Sequence, residues 1–434
     1  RPMVLTEVLI LVFSFLVFLG IGVPIAWSIG LSGLLTLFVG IDAIPAFTTL
    51  AQRMGTGLDS FTLLAIPFFI LAGQLINKGG LAHRLIKLAK DLMGSLPGGL
   101  AHVNVVAAML FGAIAGSAVA AASAIGSILG PRMEEEGYTK EFGAAVNITS
   151  STTGLLIPPS NILIIYSLAS GGVSIAALFL AGYLPGILTG LTLMVVAAVW
   201  AKKKNFPVGE RTSISEISKS FVRALPSLLL LVIVIGGIIA GIFTATEASA
   251  IAVIYTLVLG FIYKELKVDE LPEVFLEAVK TTSIVMLLIA TSIAMSWVMS
   301  FEEIPQTVTE ALLSLSDNKI VILLMINVIL LFVGTFMDMT PAVLIFTPIF
   351  LPIVVDLGID PIHFGIIMIL NLSIGLCTPP VGTILFVGVG VAKTTIVKVI
   401  KPLLPLFIAM IVALMIITYF PQISLWLPEL FGLN

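Results

Sequence analysis

Two proline pairs, Pro158-Pro159 and Pro379-Pro380, stand 221 residues apart in otherwise apolar sequence. Each closes a related hexapeptide, Gly154-Leu155-Leu156-Ile157-Pro158-Pro159 and Gly375-Leu376-Cys377-Thr378-Pro379-Pro380. A proline pair removes two backbone donors and frees the carbonyls one turn earlier. In apolar surroundings those carbonyls are costly unless they line a cavity or bind a cation. Asn147, Thr149, Ser150, Ser151, Thr152 and Thr153 precede the first pair, and Ser160 and Asn161 follow it. Neutral oxygens of this kind suit a hard, weakly held cation such as Na⁺, and no His/Cys cluster suggests a transition metal. An ordinary kink would explain one such pair, and packing by small residues one Ser/Thr-rich span. Both features at one break, with a second break at a fixed offset, favour a binding site.

Two turns extend the set: Gly116-Ser117, and the run Gly334-Thr335-Phe336-Met337-Asp338-Met339-Thr340-Pro341. The same offset carries Ser117 onto Asp338. A carboxylate inside an apolar segment is expensive and by default functional. Asp338 either lies near a cation or caps the helix that starts at Thr340-Pro341, and the two roles can coexist. The residues expected around Na⁺ are Ser117, Asn147, Ser150, Gly154, Ile157, Gly334, Thr335, Asp338, Gly375 and Thr378. The helices that start at the turns and after the breaks aim their N-termini inward, and helix N-termini favour anions. No Lys or Arg sits deep in the apolar segments. A small anion would then be held by Gly116, Ser117, Pro159, Ser160, Asn161, Thr340, Val381, Gly382 and Thr383. Glu247 opens a segment at Thr244-Ala245-Thr246-Glu247 and reads as an N-cap neighbour before it reads as a ligand. His83, His102 and His363 fall near expected segment ends and read as interfacial.

The elements that position these residues must live in lipid. The chain has 434 residues, 59% of them hydrophobic and 10% charged, with a mean hydropathy of +1.19. A soluble chain carries about 25% charged residues, so this one could not cover a water-facing surface. The backbone must satisfy itself as helices or a closed barrel. Runs such as Val4–Gly22, Pro226–Phe243 and Ile320–Val333 are continuous rather than alternating, which selects helices. The net charge of −3 and the lack of a basic tail give no reason to expect nucleic acid as a partner. The single cysteine, Cys377, excludes a disulfide framework. Val4–Gly22 lacks a basic leader and is followed by more membrane sequence, so no cleaved signal peptide is expected.

The offset of 221 also carries Pro131 onto Pro352 and Gly137 onto Gly358. It predicts two repeats, 1–201 and 222–422, joined by the polar linker Lys202–Phe221. In the first repeat, spans are expected near 4–22, 23–41 and 61–77. An amphipathic arm follows at 78–96, with Leu81, Leu85, Leu88 and Leu92 on one face. The stretch 103–130 is too short for two full spans of about 20 residues each and reads as a re-entrant hairpin with its tip near Gly116-Ser117. Spans near 142–170, broken at the proline pair, and 173–201 complete five crossings. An odd number inverts the second repeat. With the first arm in the cytoplasm, segments 78–96, 131–141, 202–223, 264–280 and 393–401 hold 18 of the 21 Lys and Arg, as the positive-inside rule requires. Both termini are then expected in the periplasm, and the second arm, with Glu302, Glu303, Glu310 and Asp317, lies outside. The expected fold is an all-α integral membrane protein of two inverted-topology repeats, each with five spans, one re-entrant hairpin, one broken helix and one amphipathic arm. Paired broken helices of this kind point to a transporter site.

The sequence resembles the large membrane subunit of tripartite ATP-independent periplasmic (TRAP) transporters over essentially its whole length. The resemblance is carried by Ala115-Gly116-Ser117, Ile125-Gly126-Ser127 with Pro131, Gly137-Tyr138, and Ser150-Ser151-Thr152-Thr153-Gly154 with Ile157-Pro158-Pro159-Ser160. The second half adds Pro348, Pro352, Gly358, Asp360-Pro361 and Gly375-Leu376-Cys377-Thr378-Pro379-Pro380-Val381-Gly382. It implies Na⁺-driven uptake of a small carboxylate across a bacterial inner membrane, with a small membrane subunit and a periplasmic substrate-binding protein as partners. Sialic acid is the substrate expected first and a C4-dicarboxylate the alternative. It also implies an elevator motion of transport parts (98–201 and 320–434, with hairpins 103–130 and 320–352 and broken helices 142–170 and 362–391). These would move against scaffold parts (1–97 and 222–319, with arms 78–96 and 302–317), with 202–221 as a cytoplasmic linker. Ser117 is followed by Ala118-Val119-Ala120-Ala121, where the family often shows a carboxylate a little further on, so the chain departs from the family pattern in the first hairpin.

No enzyme is expected and no organic cofactor. An intramembrane aspartyl protease would need a second deep aspartate facing Asp338, and the sequence offers none. A stand-alone Na⁺-coupled anion symporter, an ion exchanger or a passive channel on a similar fold is the remaining alternative.

Overall fold

A computed structural model of the chain describes residues 2–115, 117–379 and 382–433. Among them every regular element is a helix. Among the described residues eight helices are long and apolar enough to cross a membrane, or nine if the pair on either side of the first proline break counts as one span. The first half runs α1 (Pro2–Gly20), α2 (Ile25–Leu37), α3 (Ala43–Gly57), α4 (Ala65–Lys78), α5 (Leu81–Met93), α6 (Gly99–Ala115), α7 (Ala118–Glu135), α8 (Lys140–Ser151), α9 (Thr153–Leu156), α10 (Asn161–Ala169) and α11 (Ile175–Lys203). The second runs α12 (Ile214–Ile239), α13 (Ala245–Ile262), α14 (Leu271–Phe301), α15 (Ile304–Leu315), α16 (Lys319–Phe336), α17 (Met339–Asp356), α18 (Pro361–Leu376), α19 (Thr383–Ala392), α20 (Ile396–Tyr419) and α21 (Gln422–Leu430).

Each half contains an amphipathic arm, a tight helix pair, a broken helix and a long closing helix, in that order. The pairs α6–α7 and α16–α17 end alike. Gly137 and Gly358 follow α7 and α17 in the left-handed conformation, at φ +97° and +82°, which glycine alone adopts without cost. The next helix is then capped by a side chain: Thr139 Oγ1 accepts from Phe142 N (3.3 Å), and Asp360 Oδ1 accepts from Ile362 N (2.8 Å). The halves also differ. Residues 43–78 form two helices, with the chain turning at Leu58–Ser60, whereas the second half has one 31-residue helix, α14. The sequence did not announce α3, whose only buried residues are Ala46 and Leu50, nor the terminal helix α21.

The arm α5 buries Leu81, Leu85 and Leu88 and leaves Leu92 half exposed. The segments rich in Lys and Arg meet at one end of the molecule. The arm touches α12 where the Ser220 hydroxyl donates to Asp91, and Gly209 of the linker packs on the Gly94 carbonyl. Gly137 lies against the Pro207 ring, and Arg84 and Lys78 reach Glu265 and Glu273, each at 3.9 Å. Thr394 Oγ1 donates to Glu141 (3.2 Å), tying 393–401 to 131–141. Glu247 makes the cap expected of it: Thr244 N donates to its carboxylate (2.9 Å) while Glu247 N donates to Thr244 Oγ1 (3.2 Å).

Two of the three histidines depart from expectation. His102 and His363 are buried, at 5% and 2% exposure, while His83 is exposed. A hydrogen-bond acceptor makes this burial tolerable. His102 Nε2 lies 2.8 Å from the Pro97 carbonyl, and His363 lies 3.1 Å from both Ser424 Oγ and the Thr418 carbonyl.

Candidate functional site

The two breaks are built on glycine-to-glycine contacts. In the first half, a Cβ on Gly112 of α6 would lie 2.4 Å from Cα of Gly154, so the backbones touch. In the second, a Cβ on Gly375 of α18 would lie 2.5 Å from the carbonyl carbon of Gly334 in α16. Each tight helix pair is thus clamped onto its broken helix at the glycine four residues before the first proline. Among the expected residues, Gly334 and Gly375 meet each other, and Gly154 meets Gly112, which was not among them.

At the first break the chain bends by 52° between α8–α9 and α10. In a continuous helix an N–H at position 159 would donate to the Leu155 carbonyl, and Pro159 has none. Ser160 replaces that donor, its hydroxyl bonding Leu155 O at 2.6 Å. The Gly154 carbonyl, whose helical donor would be the N–H that Pro158 lacks, receives no hydrogen bond among the described residues. Ile157 turns extended at φ −81°, ψ 120°. Asn147, Thr149, Ser150, Ser151, Thr152 and Thr153 are all buried. Most of their hydroxyls return to their own helix: Ser151 donates to Asn147 O (2.6 Å), Thr152 to Thr149 O (2.7 Å) and Thr153 to Ser150 O (2.7 Å). That leaves each oxygen its lone pairs as an acceptor. Two buried side-chain acceptors here, Oδ1 of Asn147 and Oδ1 of Asn161, have no donor among the described residues. A buried unpartnered acceptor costs about 1–3 kcal/mol, which a bound cation or donor would recover.

The second break differs in detail. The Thr378 hydroxyl donates to Ile374 O at 2.8 Å, and Thr378 N takes the Gly375 carbonyl at 3.1 Å in place of Pro379. Gly382 N donates to Thr378 O at 3.1 Å, and Thr383 opens α19 with an exposed side chain. Cys377 is fully buried, its Sγ 3.6 Å from the Ile148 carbonyl of α8. The second break therefore lies directly against the helix that leads into the first. Tyr166 of α10 strengthens the crossing by donating to Pro361 O (2.5 Å) with its ring against Gly365. In the contact pattern α7 packs on α19 and α10 packs on α17, so each half's helix pair also holds the other half's post-break helix.

The two turns behave differently. Ser117 caps α7, its Oγ accepting from Ala120 N at 3.3 Å. Asp338 occupies the N-cap position of α17 in extended backbone, half-buried, yet its side chain makes no capping bond. Thr335 donates to Phe332 O at 2.7 Å, and Thr340 is half-buried in the first turn of α17. Gly116, Val381 and Pro380 lie outside the described residues.

Sequence reasoning missed a matched pair of amides. Asn104 of α6 accepts from Ser150 of α8 (3.1 Å), and Asn327 of α16 accepts from Asn371 Nδ2 of α18 (2.9 Å). Each links a helix pair to its broken helix. The second bond continues through Asn327 Nδ2 to Thr418 Oγ1 (3.1 Å). The signal was there in Asn104, Asn327 and Asn371 as lone amides within apolar runs, which need buried partners. Asn104 and Asn147 also line a cavity of about 290 Å³ between α7, α8 and α19. Its outer residues, Glu134, Lys140 and Lys393, are exposed, whereas Asn104 and Asn147 are nearly fully buried. The cavity therefore leads from the basic end to the residues before the first break.

Residues 12–423 match the family model described as "Tripartite ATP-independent periplasmic transporter, DctM component". The chain belongs to this family. Its relatives include the uncharacterized protein YgiK of Salmonella typhimurium, 58% identical over 98% of both chains. The C4-dicarboxylate TRAP transporter large permease protein DctM of Pseudomonas aeruginosa is 42% identical, covering 94% of this chain and 95% of that one. The sialic acid TRAP transporter large permease protein SiaM of Vibrio cholerae is 39% identical, covering 97% and 98%. Among solved structures, the YdaH transporter of Alcanivorax borkumensis superimposes with a TM-score of 0.66 at 15% identity, covering 91% of this chain and 90% of that one. That likeness concerns the fold. As a DctM-family permease the chain is a multi-pass membrane protein, and the family is one of transporters rather than enzymes.

Proposed function

We propose that the chain is the Na⁺-coupled permease of a tripartite importer that carries a small carboxylate across the bacterial inner membrane. A small membrane subunit and a periplasmic binding protein are its partners, and both termini lie in the periplasm. The observation that carries this reading is the duplicated clamp: Gly112 on Gly154 and Gly334 on Gly375, each just before a proline break. Such paired breaks are where coupling ions and substrates bind in inverted-repeat transporters. The two halves are read as inverted repeats, and the hairpins with the broken helices as the part that moves, elevator-like, against the arms and the remaining spans.

Na⁺ is assigned to oxygens around the breaks: the Gly154 carbonyl, Asn147, Ser150, Ile157, and the turn group Gly334, Thr335 and Asp338 with Gly375 and Thr378, together with Ser117. The anion is assigned to the helix starts at Ser117, Ser160-Asn161, Thr340 and Gly382-Thr383. The cavity toward Glu134, Lys140 and Lys393 serves as the cytoplasmic route for the coupling ion. Sialic acid remains the first substrate to test and a C4-dicarboxylate the second, since relatives of nearly equal identity carry both names. The test is reconstitution in liposomes with the candidate small subunit and binding protein, scanning labelled sialic acid, succinate and other small carboxylates under an inward Na⁺ gradient. Saturable uptake of one carboxylate supports the reading. Uptake that needs neither Na⁺ nor the binding protein would replace it with a stand-alone symporter or exchanger.

A further inference from the structure

At the basic end, remote from both breaks, lies a second cavity of about 390 Å³. It is bounded by His83, Arg84 and Lys87 on the arm α5, Arg223 on α12, and Glu265 in the α13–α14 connection. The transport reading makes no use of it. Its cations are held in place. The Arg84 guanidinium stacks over the Tyr263 ring at 3.7 Å and stands 3.9 Å from Glu265, while its buried Nε has no hydrogen-bond partner among the described residues. Lys87 bonds Asp91 at 3.0 Å, and Asp91 is also taken by the Ser220 hydroxyl. Glu265 is pressed onto the start of α5. Gly80 there is left-handed at φ +73°, and a Cβ on it would fall 1.3 Å from the carboxylate. Arg223 is exposed and has no ion pair among the described residues.

Arg84, Lys87 and Arg223 face Glu265 and Asp91, which leaves one unbalanced positive charge, the complement of one phosphodiester. Arginine presents a planar fork that suits phosphate oxygens. Phe221 and Val222, which precede Arg223 in the chain, are 47% and 64% exposed. Acyl chains would cover exposed apolar side chains beside the phosphate, which a soluble anion would not. Basic pockets between membrane helices at the cytoplasmic surface bind acidic headgroups. We propose that this cleft binds the phosphate headgroup of an anionic phospholipid, which ties the arm to α12.

The test uses the full chain, purified and delipidated in detergent, then titrated with phosphatidylglycerol, phosphatidylcholine or inorganic phosphate. Native mass spectrometry counts retained lipid, and thermal unfolding reports stabilisation. Phosphatidylglycerol is expected to be retained and to raise the Tm, with phosphatidylcholine and millimolar phosphate doing neither. Arg223→Glu, at an exposed position, should weaken retention by about ten-fold or more, and Arg223→Gln by less. Lys398→Glu, an exposed lysine elsewhere at the same end, should leave it unchanged. Equal retention by Arg223→Glu and the natural chain would overturn the proposal. So would equal weakening by Lys398→Glu, which would mean diffuse surface charge, or a full Tm shift with inorganic phosphate alone, which would mean a soluble ligand.

Discussion

Gly375→Ala adds one methyl at the second clamp, and its effect can be worked out from the contact. The new Cβ would sit 2.5 Å from the Gly334 carbonyl carbon, 2.6 Å from its Cα and 2.7 Å from its oxygen. Ordinary contact begins near 3.4 Å, so α16 and α18 must separate by roughly 1 Å. Overpacking costs about 1–3 kcal/mol. The obstacle is backbone, which cannot swing aside, so a value near 3 kcal/mol applies. Replacing a helical glycine returns about 1 kcal/mol, leaving a loss of about 2 kcal/mol. Gly236→Ala in α12 is the control, because nothing lies within 4 Å of its Cβ, and it should gain about 1 kcal/mol from the same propensity term. Thermal unfolding in detergent should therefore move in opposite directions for the two variants. Uptake by Gly375→Ala should require more Na⁺, since the clamp positions the turn that carries Asp338. Equal Tm and equal Na⁺ dependence in both variants would refute the clamp.

Three further outcomes follow from individual side chains. Asp338→Asn should raise the Na⁺ concentration for half-maximal uptake several-fold with little change in Tm, as Asn serves the N-cap position of α17 nearly as well as Asp; unchanged Na⁺ affinity in a folded variant would remove the charge from the ion site. Cys377, fully buried against Ile148 O, should react slowly with a small maleimide, and more slowly in Na⁺ than in K⁺ at equal ionic strength; rapid labelling indifferent to Na⁺ would place the second break on an open surface. Glu302, just beyond α14, is buried; burial first, then the neighbouring Glu7 carboxyl, push it from 4.5 up to about 7. The folded state thus holds a proton that the unfolded chain has released, so stability should fall as pH rises from about 4.5 to 7 and level off above. Glu302→Gln should flatten this slope, and identical pH–Tm curves for both proteins would sink the assignment.

What the sequence made legible was local. The proline pairs fix the breaks because the missing N–H groups act within one turn, and Thr244 with Glu247 closes a cap over three residues. The arm's Leu81, Leu85 and Leu88 declare a buried face by spacing alone. What stayed hidden depends on partners far along the chain. That Ser160 would donate to the carbonyl freed by Pro159 requires the bend itself, which sets its hydroxyl 2.6 Å from Leu155 O. That His363 would be buried requires Ser424 and Thr418, 61 and 55 residues away, to meet both ring nitrogens. Asn104 and Ser150, 46 residues apart, look like unrelated polar residues until α6 lies on α8. Periodicity shows which face a helix buries but not which helix covers it, so Cys377 could be placed at a break but not against Ile148.

The central claim is that two symmetric breaks bind coupling ions, and the initial rate of carboxylate uptake as a function of Na⁺ tests it most directly. With permease, small subunit and binding protein reconstituted at constant ionic strength, the account predicts a sigmoidal rise reporting at least two Na⁺, with no uptake driven by a pH gradient alone. Full uptake in Na⁺-free buffer would contradict it.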